Sequence, residues 1–390
     1  MSSFAGRMRE YPTVSLDRFD RENLHAQAYF LSHCHKDHMK GLKGPLLKRK
    51  LQFSRTVRLY CSFVTKELLL NNPKYAFWEE YVVALELESP TQISLVDEAS
   101  GEKEEVVVTL LPAGHCPGSV MFLFEGRQGN VLYTGDFRLA AGDASRMELL
   151  HSGSRVKDIQ SVYLDSTFYD PRFYQIPSRE VCLRGISELI GNWISQSSYH
   201  VVWLNCKAAY GYEYLFTNLG DEFGTQIHVN SLAMFKKMPE ILSYVTTDRR
   251  TQIHACRHPK DEEFFQGNRL PCGCTAADGT PLRIISIKPS VFPGQQAAVW
   301  LHGCRRDAAA HHQHQTVHHV VRRENQEDQR HHKNRKQFLQ SLFQLPLLLL
   351  RDQGLPVLPA ARQHRPERRP DWTHAGRGHA HVEADVPEPV

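Results

Sequence analysis

Polar and apolar positions alternate over Thr13 to Phe19. A continuous apolar run follows at Ala28 to Leu31, and short β-rich runs occupy Tyr81 to Leu87, Gln92 to Val96 and Val106 to Leu111. Period-two alternation and short apolar runs bounded by acidic or Gly-containing turns are strand patterns. One helix interrupts them at Val64 to Leu70, broken by Asn71-Asn72-Pro73. Asn130 to Asp136 and Gln160 to Asp165 repeat the theme of a hydrophobic strand that ends in an acid. After that the texture changes. Arg179 to Ser195 reads as an amphipathic helix, His200 to Asn205 as a buried strand and Tyr210 to Leu219 as a helix, with strands at Gln226 to Val229 and Gln252 to Ala255. Strand-helix alternation predicts a small α/β module beginning near residue 156. Strand periodicity persists through Ile284 to Ser290 and stops beyond Val291.

A chain of 390 residues exceeds one typical domain. The pattern divides it into a domain over 1–155, a second over 156–290 and a divergent tail over 291–390. The tail is rich in Arg, His, Gln, Pro and Ala and holds 12 of the 22 histidines. Without periodicity or an apolar face it is expected to be largely disordered, leaving a bare sheet edge in the first domain. The net charge of +4 is mild, but Lys36, Lys40, Lys43, Lys48, Arg49 and Lys50 crowd together. Such a run is either a solvated surface or a rim that attracts a polyanion. Nine scattered cysteines and a polar N-terminus without a signal peptide predict reduced thiols in the cytosol or nucleus. The most apolar run, Leu345 to Leu350, is too short to span a membrane.

The candidate chemistry begins directly after the run at Ala28 to Leu31, in Ser32-His33-Cys34-His35-Lys36-Asp37-His38. Strand alternation would put His33 and His35 on one side, with Asp37 and His38 turning back from the loop. Imidazole and carboxylate suit zinc and similar ions, and two ions sharing such a cluster activate a water between them. The plain alternative is a solvated His-rich loop. His115 stands between Gly114 and Pro117 at a strand end, and Asp136 and Asp165 end two further strands. Ligand-type residues at the ends of separate strands are what a site at one sheet edge requires. Asp17 is either a turn residue or an acid that orients a metal-binding histidine.

A second constellation lies in the α/β module: His228, His254, Cys256 and Cys272. Two imidazoles with two thiolates make a closed tetrahedral zinc site, with His258 or Cys274 as substitutes in the set. Ordinary buried or surface residues are the competing reading.

The segments LSHCHKDHMKGL, LLPAGHCPGSV, LYTGDFRL, YLDSTFYDPRFYQIPSRE and WLNCKAAYGYEYLFTNL resemble the DNA cross-link repair nuclease family, from Met1 to Ser290. The resemblance implies a metallo-β-lactamase αββα sandwich with an inserted β-CASP α/β domain. By carry-over, His33, His35, His115 and Asp136 hold one ion and Asp37, His38 and Asp136 a second, with Asp37, His38, Asp136 and Asp165 as catalytic residues. His228, His254, Cys256 and Cys272 match a structural zinc site, Asp17 the acid behind the ligands, and Lys36, Lys40, Lys43 and Lys207 the DNA contacts. Zn2+ is the implied ion, with Mg2+ or Mn2+ as activity ions. The implied activity is 5'-3' exonuclease and structure-specific endonuclease action on DNA ends, hairpins and single-strand overhangs. The implied setting is the nucleus, in non-homologous end joining and V(D)J recombination, with the DNA-dependent protein kinase catalytic subunit and DNA ligase IV as partners. The departure lies after Lys288-Pro289-Ser290, where members continue with strands that rejoin the sandwich and with a histidine motif of the form SFHSSYSE. His318-His319 match that motif in no surrounding residue, so the C-terminal part of the sandwich is expected to be missing. A chain of that kind would show much reduced activity, or bind DNA or partners without catalysis.

Overall fold

The structure, a computed structural model, describes residues 4–140, 142–153, 155–168, 176–206, 210–257, 270–289, 300–302 and 379–383. It divides into two units. The first comprises Met1–Lys66, Phe77–Thr167 and Asp328–Val390, the second Glu67–Ala76 and Phe168–Glu327.

In the first unit, β1 (Val14–Leu16), β2 (Ala28–Phe30), β3 (Leu59–Ser62) and β4 (Val82–Leu85) form a parallel sheet in that order. The second sheet carries β5 (Thr91–Val96), β6 (Lys103–Pro112), β7 (Val120–Gly126) and β8 (Gly129–Tyr133) as an antiparallel run. After a small hairpin of β9 (His151–Ser152) and β10 (Arg155–Val156), β11 (Ser161–Asp165) joins β8 in parallel. Alternation decides which residues meet. Val106, Val108 and Leu110 of β6 share one core with Leu16 and Phe30, whereas Leu111, Met121, Leu123 and Leu132 pack on the opposite face with Leu150. The middle of the second sheet is thus buried on both sides, which is why Val120–Phe124 of β7 and Val131–Tyr133 of β8 are continuous apolar runs, whereas β5 alternates with exposed Gln92 and Ser94. Phe30 meets Phe122 and Phe124 edge-on at ring distances of 5.3 and 5.0 Å, which locks the end of β2 against β7.

Two expectations change here. The boundary near residue 155 moves to Thr167, because β11 completes the first unit's sheet and does not open the second unit. The edge of β11, expected to lie bare, carries the strand His379–Glu383, antiparallel and in register from Ser161↔Glu383 to Asp165↔His379. Backbone pairing needs no particular side chains, so a segment without an apolar face can still complete a ladder. Of the tail expected to be disordered, only this strand and Trp300–His302 fall among the described residues.

In the second unit, β12 (His200–Leu204), β13 (Ile227–His228), β14 (Val245–Thr246), β15 (Ile253–His254) and β16 (Arg283–Ile287) form a parallel sheet in the order β14-β13-β15-β12-β16. Here β17 (Trp300–His302) pairs antiparallel on β16. Every residue of β12 is buried, as a central parallel strand requires. The helix Arg179–Ile194 starts at Ser178, whose Oγ accepts from Val181 N. The next helix runs over Glu213–Phe223, later than Tyr210 to Leu219, and stops where Gly224 turns left-handed at φ 58°.

One local device fixes the helix Pro45–Phe53 behind the histidine loop. Glu98 Oε1 accepts from Ser54 Oγ (3.0 Å), Arg55 N (2.7 Å), Thr56 N (2.8 Å) and Thr56 Oγ (2.7 Å). These bonds, the Thr56 hydroxyl first, hold its pKa down at about 2. A folded pKa below the unfolded value gives stability that is complete above the unfolded pKa and disappears as pH falls toward about 2. Glu98→Gln should therefore lower the melting temperature by a few degrees at pH 7, and the difference from wild type should vanish on titration to about pH 2. A pH-independent difference would show that shape, not charge, is what Glu98 contributes.

Candidate metal centres

The first centre is assembled at the C-terminal ends of β1, β2 and β8 and in the loop between β6 and β7. After Phe30 the chain leaves the sheet, so His33 and His35 lie beyond the strand and their rings pack edge-on at 4.6 Å. The turn closes with His38 N donating to His35 O at 3.0 Å, which swings His38 to within 4.3 Å of the His33 ring. His115 arrives on a loop tied at both ends. Ser119 Oγ accepts from His115 N, and Ala113 O accepts from Arg138 N at 2.7 Å. Gly114 is left-handed at φ 64°, and a Cβ there would stand 2.6 Å from Arg138 O. Asp136 follows Gly135, where a Cβ would meet Ser32 Oγ at 2.8 Å; only glycine lets the end of β8 come this close to the histidine loop.

The carboxylate of Asp136 stands between two sets of imidazoles. Its Oδ2 lies 3.6 Å from His115 Nε2 and 4.0 Å from His33 Nε2, and its Oδ1 lies 3.1 Å from His38 Nε2. His115 Nε2 is 3.2 Å from His35 Nδ1. Tetrahedral ions with bonds of about 2.0–2.3 Å set ligand-to-ligand edges of roughly 3.3–3.8 Å, so these separations suit donors around shared ions. His33 Nε2 is fully buried and has no hydrogen-bond partner, a cost that coordination would remove. Burial, then the surrounding histidines, pushes the His33 pKa well down, leaving the neutral imidazole that metals bind. Burial opposes charge on His38, but Asp17 and Asp136 outweigh it and raise its pKa to about 10. Burial would raise Asp136, yet the hydrogen bond from His38 and the neighbouring imidazoles hold it far below the carboxylate range. A cation arriving at His38 would displace the proton on Nε2.

Asp17 is the anchor behind this arrangement. Its backbone is left-handed at φ 53°, a conformation that costs a non-glycine residue about 1 kcal/mol or more. In that pose Oδ2 accepts from His38 Nδ1 (2.9 Å), Ser32 Oγ (2.6 Å) and Tyr133 OH (2.9 Å), while Oδ1 accepts from Ser32 N (2.7 Å). The proton of His38 is thereby placed on Nδ1, and Nε2 faces Asp136. Asp17→Asn should weaken zinc binding by roughly 10- to 100-fold, the usual effect of removing a carboxylate behind a histidine ligand. Equal zinc affinity in the variant, by competition with a chelating dye, would reduce Asp17 to a folding role.

Not every expected residue joins the cluster. Asp37 is half-buried on the same turn but belongs to neither close grouping of donors. Asp165 sits at the same sheet edge, with its N donating to Thr134 Oγ at 3.1 Å, yet its Oδ1 accepts from Thr167 N and Oγ. Of the basic residues, Lys36, Lys40 and Lys43 are exposed. Lys50 departs from the solvated or DNA-facing reading of the run. Its Nζ donates to Leu24 O and Ala26 O, and burial lowers its pKa to about 8 against the pull of Glu98. Lys48 lies over the Phe77 ring at 4.2 Å. Lys207 and His258 lie outside the described residues. Sequence reasoning missed Ser32, Tyr133 and Cys116. The signal for Tyr133 was a hydroxyl at the end of an otherwise apolar strand, where burial demands an acceptor.

The second centre lies in the second unit. β13 and β15 pair with His228 opposite His254, which brings the two Nδ1 atoms to 3.1 Å. Cys272 Sγ is 3.7 Å from His254 Nδ1, and with Cys256 the four donors lie within 4.8 Å of one another. The hydrogen bond from Cys256, then those from the two histidines, holds the Cys272 thiol down as the thiolate of the pair, while Cys256 is raised as its donor. Cys274 stands aside, with its Sγ on Arg249 O at 3.2 Å. The set fits a closed N2S2 ion site.

Comparison with known proteins places these residues in context. A family model described as the anti-Pycsar protein Apyc1 matches residues 11–169. The chain is 80% identical over 292 residues to protein artemis of Danio rerio, covering 75% of this chain and 46% of that protein. It is 74% identical over 292 residues to protein artemis of Homo sapiens, covering 75% and 42%. The 5' exonuclease Apollo of Gallus gallus is 36% identical over 234 residues, covering 59% and 44%. The chain spans less than half the length of these curated relatives.

Proposed function

We propose that this chain is an Artemis-type, metal-dependent DNA nuclease, built on a metallo-β-lactamase sandwich with the second unit as its β-CASP insertion. The observation that carries the reading is the Asp136 carboxylate, divided between His115 and His33 on one oxygen and His38 on the other. In this reading His33, His35, His115 and Asp136 hold one ion and His38, Asp136 and Asp37 a second. Divalent ions held there supply activation of a water and neutralise charge building on the scissile phosphate. The chain's own residues do the rest. Asp136 fixes the distance between the two histidine sets, and Asp17 holds the His38 proton on Nδ1. Asp165, at the end of the neighbouring strand β11, would take up or pass a proton. Exposed Lys36, Lys40 and Lys43 would grip the DNA backbone, which carries no base sequence, so the enzyme would recognise the shape of ends, hairpins and overhangs.

The same reading assigns His228, His254, Cys256 and Cys272 to structural zinc, and the protein to nuclear end joining and V(D)J recombination. The DNA-dependent protein kinase catalytic subunit and DNA ligase IV would be its partners there. The test is metal content of the purified chain together with cleavage of a hairpin-ended DNA. Zinc at the centres with hairpin opening or 5' resection supports the proposal. Tight DNA binding with bound metal and no cleavage would leave only a binding protein.

A further inference from the structure

We propose that Cys116 is a metal-selecting ligand: its thiolate joins His33, His35 and His115 around one ion and biases that site toward zinc and other soft divalent ions. The inference rests on the metal-site reading above and assigns a donor outside the ligand set given there. Cys116 Sγ and one nitrogen from each of the three imidazoles lie within 4.8 Å of one another. Independently, the fully buried His33 Nε2 has no hydrogen-bond partner. The donor thiol is held where it is by its backbone. Ser119 Oγ accepts from both His115 N (3.0 Å) and Cys116 N (3.1 Å), so two consecutive donor residues are presented from one clamp. The clamp is anchored in turn, because Gly118 O accepts from Ser62 Oγ at 2.7 Å and Thr65 Oγ at 2.8 Å.

The first unit's other cysteines among the described residues behave differently. Cys34 and Cys61 are buried and their thiols are pushed up, chiefly by burial, Cys61 to about 12. Neither belongs to a donor cluster. Coordination by Cys116 would release its proton to solvent as the sulfur–metal bond forms, with no change of oxidation state. Thiolate ligands favour zinc and cadmium, whereas magnesium and manganese prefer oxygen. The fourth position of this site therefore has two candidate donors of opposite preference, the Cys116 sulfur and the Asp136 oxygen, and the ion that binds is chosen between them.

The test uses the full chain and no DNA, so its result is independent of whether the protein cleaves. Cobalt(II) is loaded into wild type, Cys116→Ser and Cys272→Ser, and the sulfur-to-cobalt charge-transfer band is recorded beside the cobalt content. Cys116→Ser should bind as much cobalt with a weaker band, and its loss should add to that of Cys272→Ser. In competition, Cys116→Ser should lose at least tenfold in cadmium affinity and keep its manganese affinity. An unchanged band at equal cobalt content, or equal losses for both ions, overturns the proposal. Should the serine variant fail to fold, alkylation of Cys116 in the native wild type, read by peptide mass spectrometry, decides the matter. Cadmium should block it and manganese should not; protection by both or by neither overturns the assignment.

Discussion

If the chain cleaves DNA as proposed, Asp136→Asn should abolish that cleavage, by at least about a thousandfold, or roughly 4 kcal/mol of transition-state stabilisation at 1.36 kcal/mol per decade. The size follows from position. Asp136 lies against both histidine sets, so on the two-ion reading its loss weakens both sites at once. An amide keeps the shape but brings no negative charge, so the first ion would keep only imidazoles and the second only His38 and Asp37. DNA affinity should change little, since the exposed lysines remain. Zinc content should fall by the active-site share while the second unit keeps its ion. A variant that cleaves within tenfold of wild type would mean that the two histidine sets do not act as one centre.

His254→Ala should act on folding and not directly on chemistry. The closed set His228, His254, Cys256 and Cys272 ties β13, β15 and the turn after Leu270 together, and binding energy at such a site is folding energy. Removing one ligand also leaves the Cys272 thiolate without one of its donors. A fall in melting temperature of roughly 10 °C or more is expected, from a loss of about 3–5 kcal/mol in a unit of this size. Dialysis of wild type against a strong chelator should reproduce it, and one zinc per chain should disappear. An unchanged melting temperature, or unchanged zinc content, would leave the cluster as four ordinary buried side chains.

The two centres were legible in the sequence to different degrees. His33, His35 and His38 lie so close along the chain that the single turn after β2 brings the His35 and His38 rings to 4.6 and 4.3 Å from that of His33. His115 and Asp136 could be marked only as ligand-type residues at strand ends. The order of β6, β7 and β8 is what carries them to one edge. The choice of Cys272 over Cys274 had no local signal. It depends on the turn at Gly273, which sends one thiol to the histidines and the other to Arg249 O.

What the sequence determined alone is whatever depends on neighbours along the chain: strand periodicity, the histidine turn, the acids at strand ends, and the change of character after Ser290. The tertiary structure decided everything that depends on which distant atoms share a volume. Asp17 turns left-handed because four donors, two from Ser32 beyond β2, one from Tyr133 of β8 and one from His38 on the histidine turn, converge on its carboxylate. Lys50 becomes a half-buried tie because Leu24 and Ala26 present carbonyls that need a donor, although its charge reads like that of its exposed neighbours. Strand β11 belongs to the first unit because β8 offers it a parallel edge, and the segment His379–Glu383 can pair on its other side because a ladder is made of backbone, which every sequence carries. Local pattern reports which residue types are available; packing and hydrogen-bond satisfaction decide which of them meet.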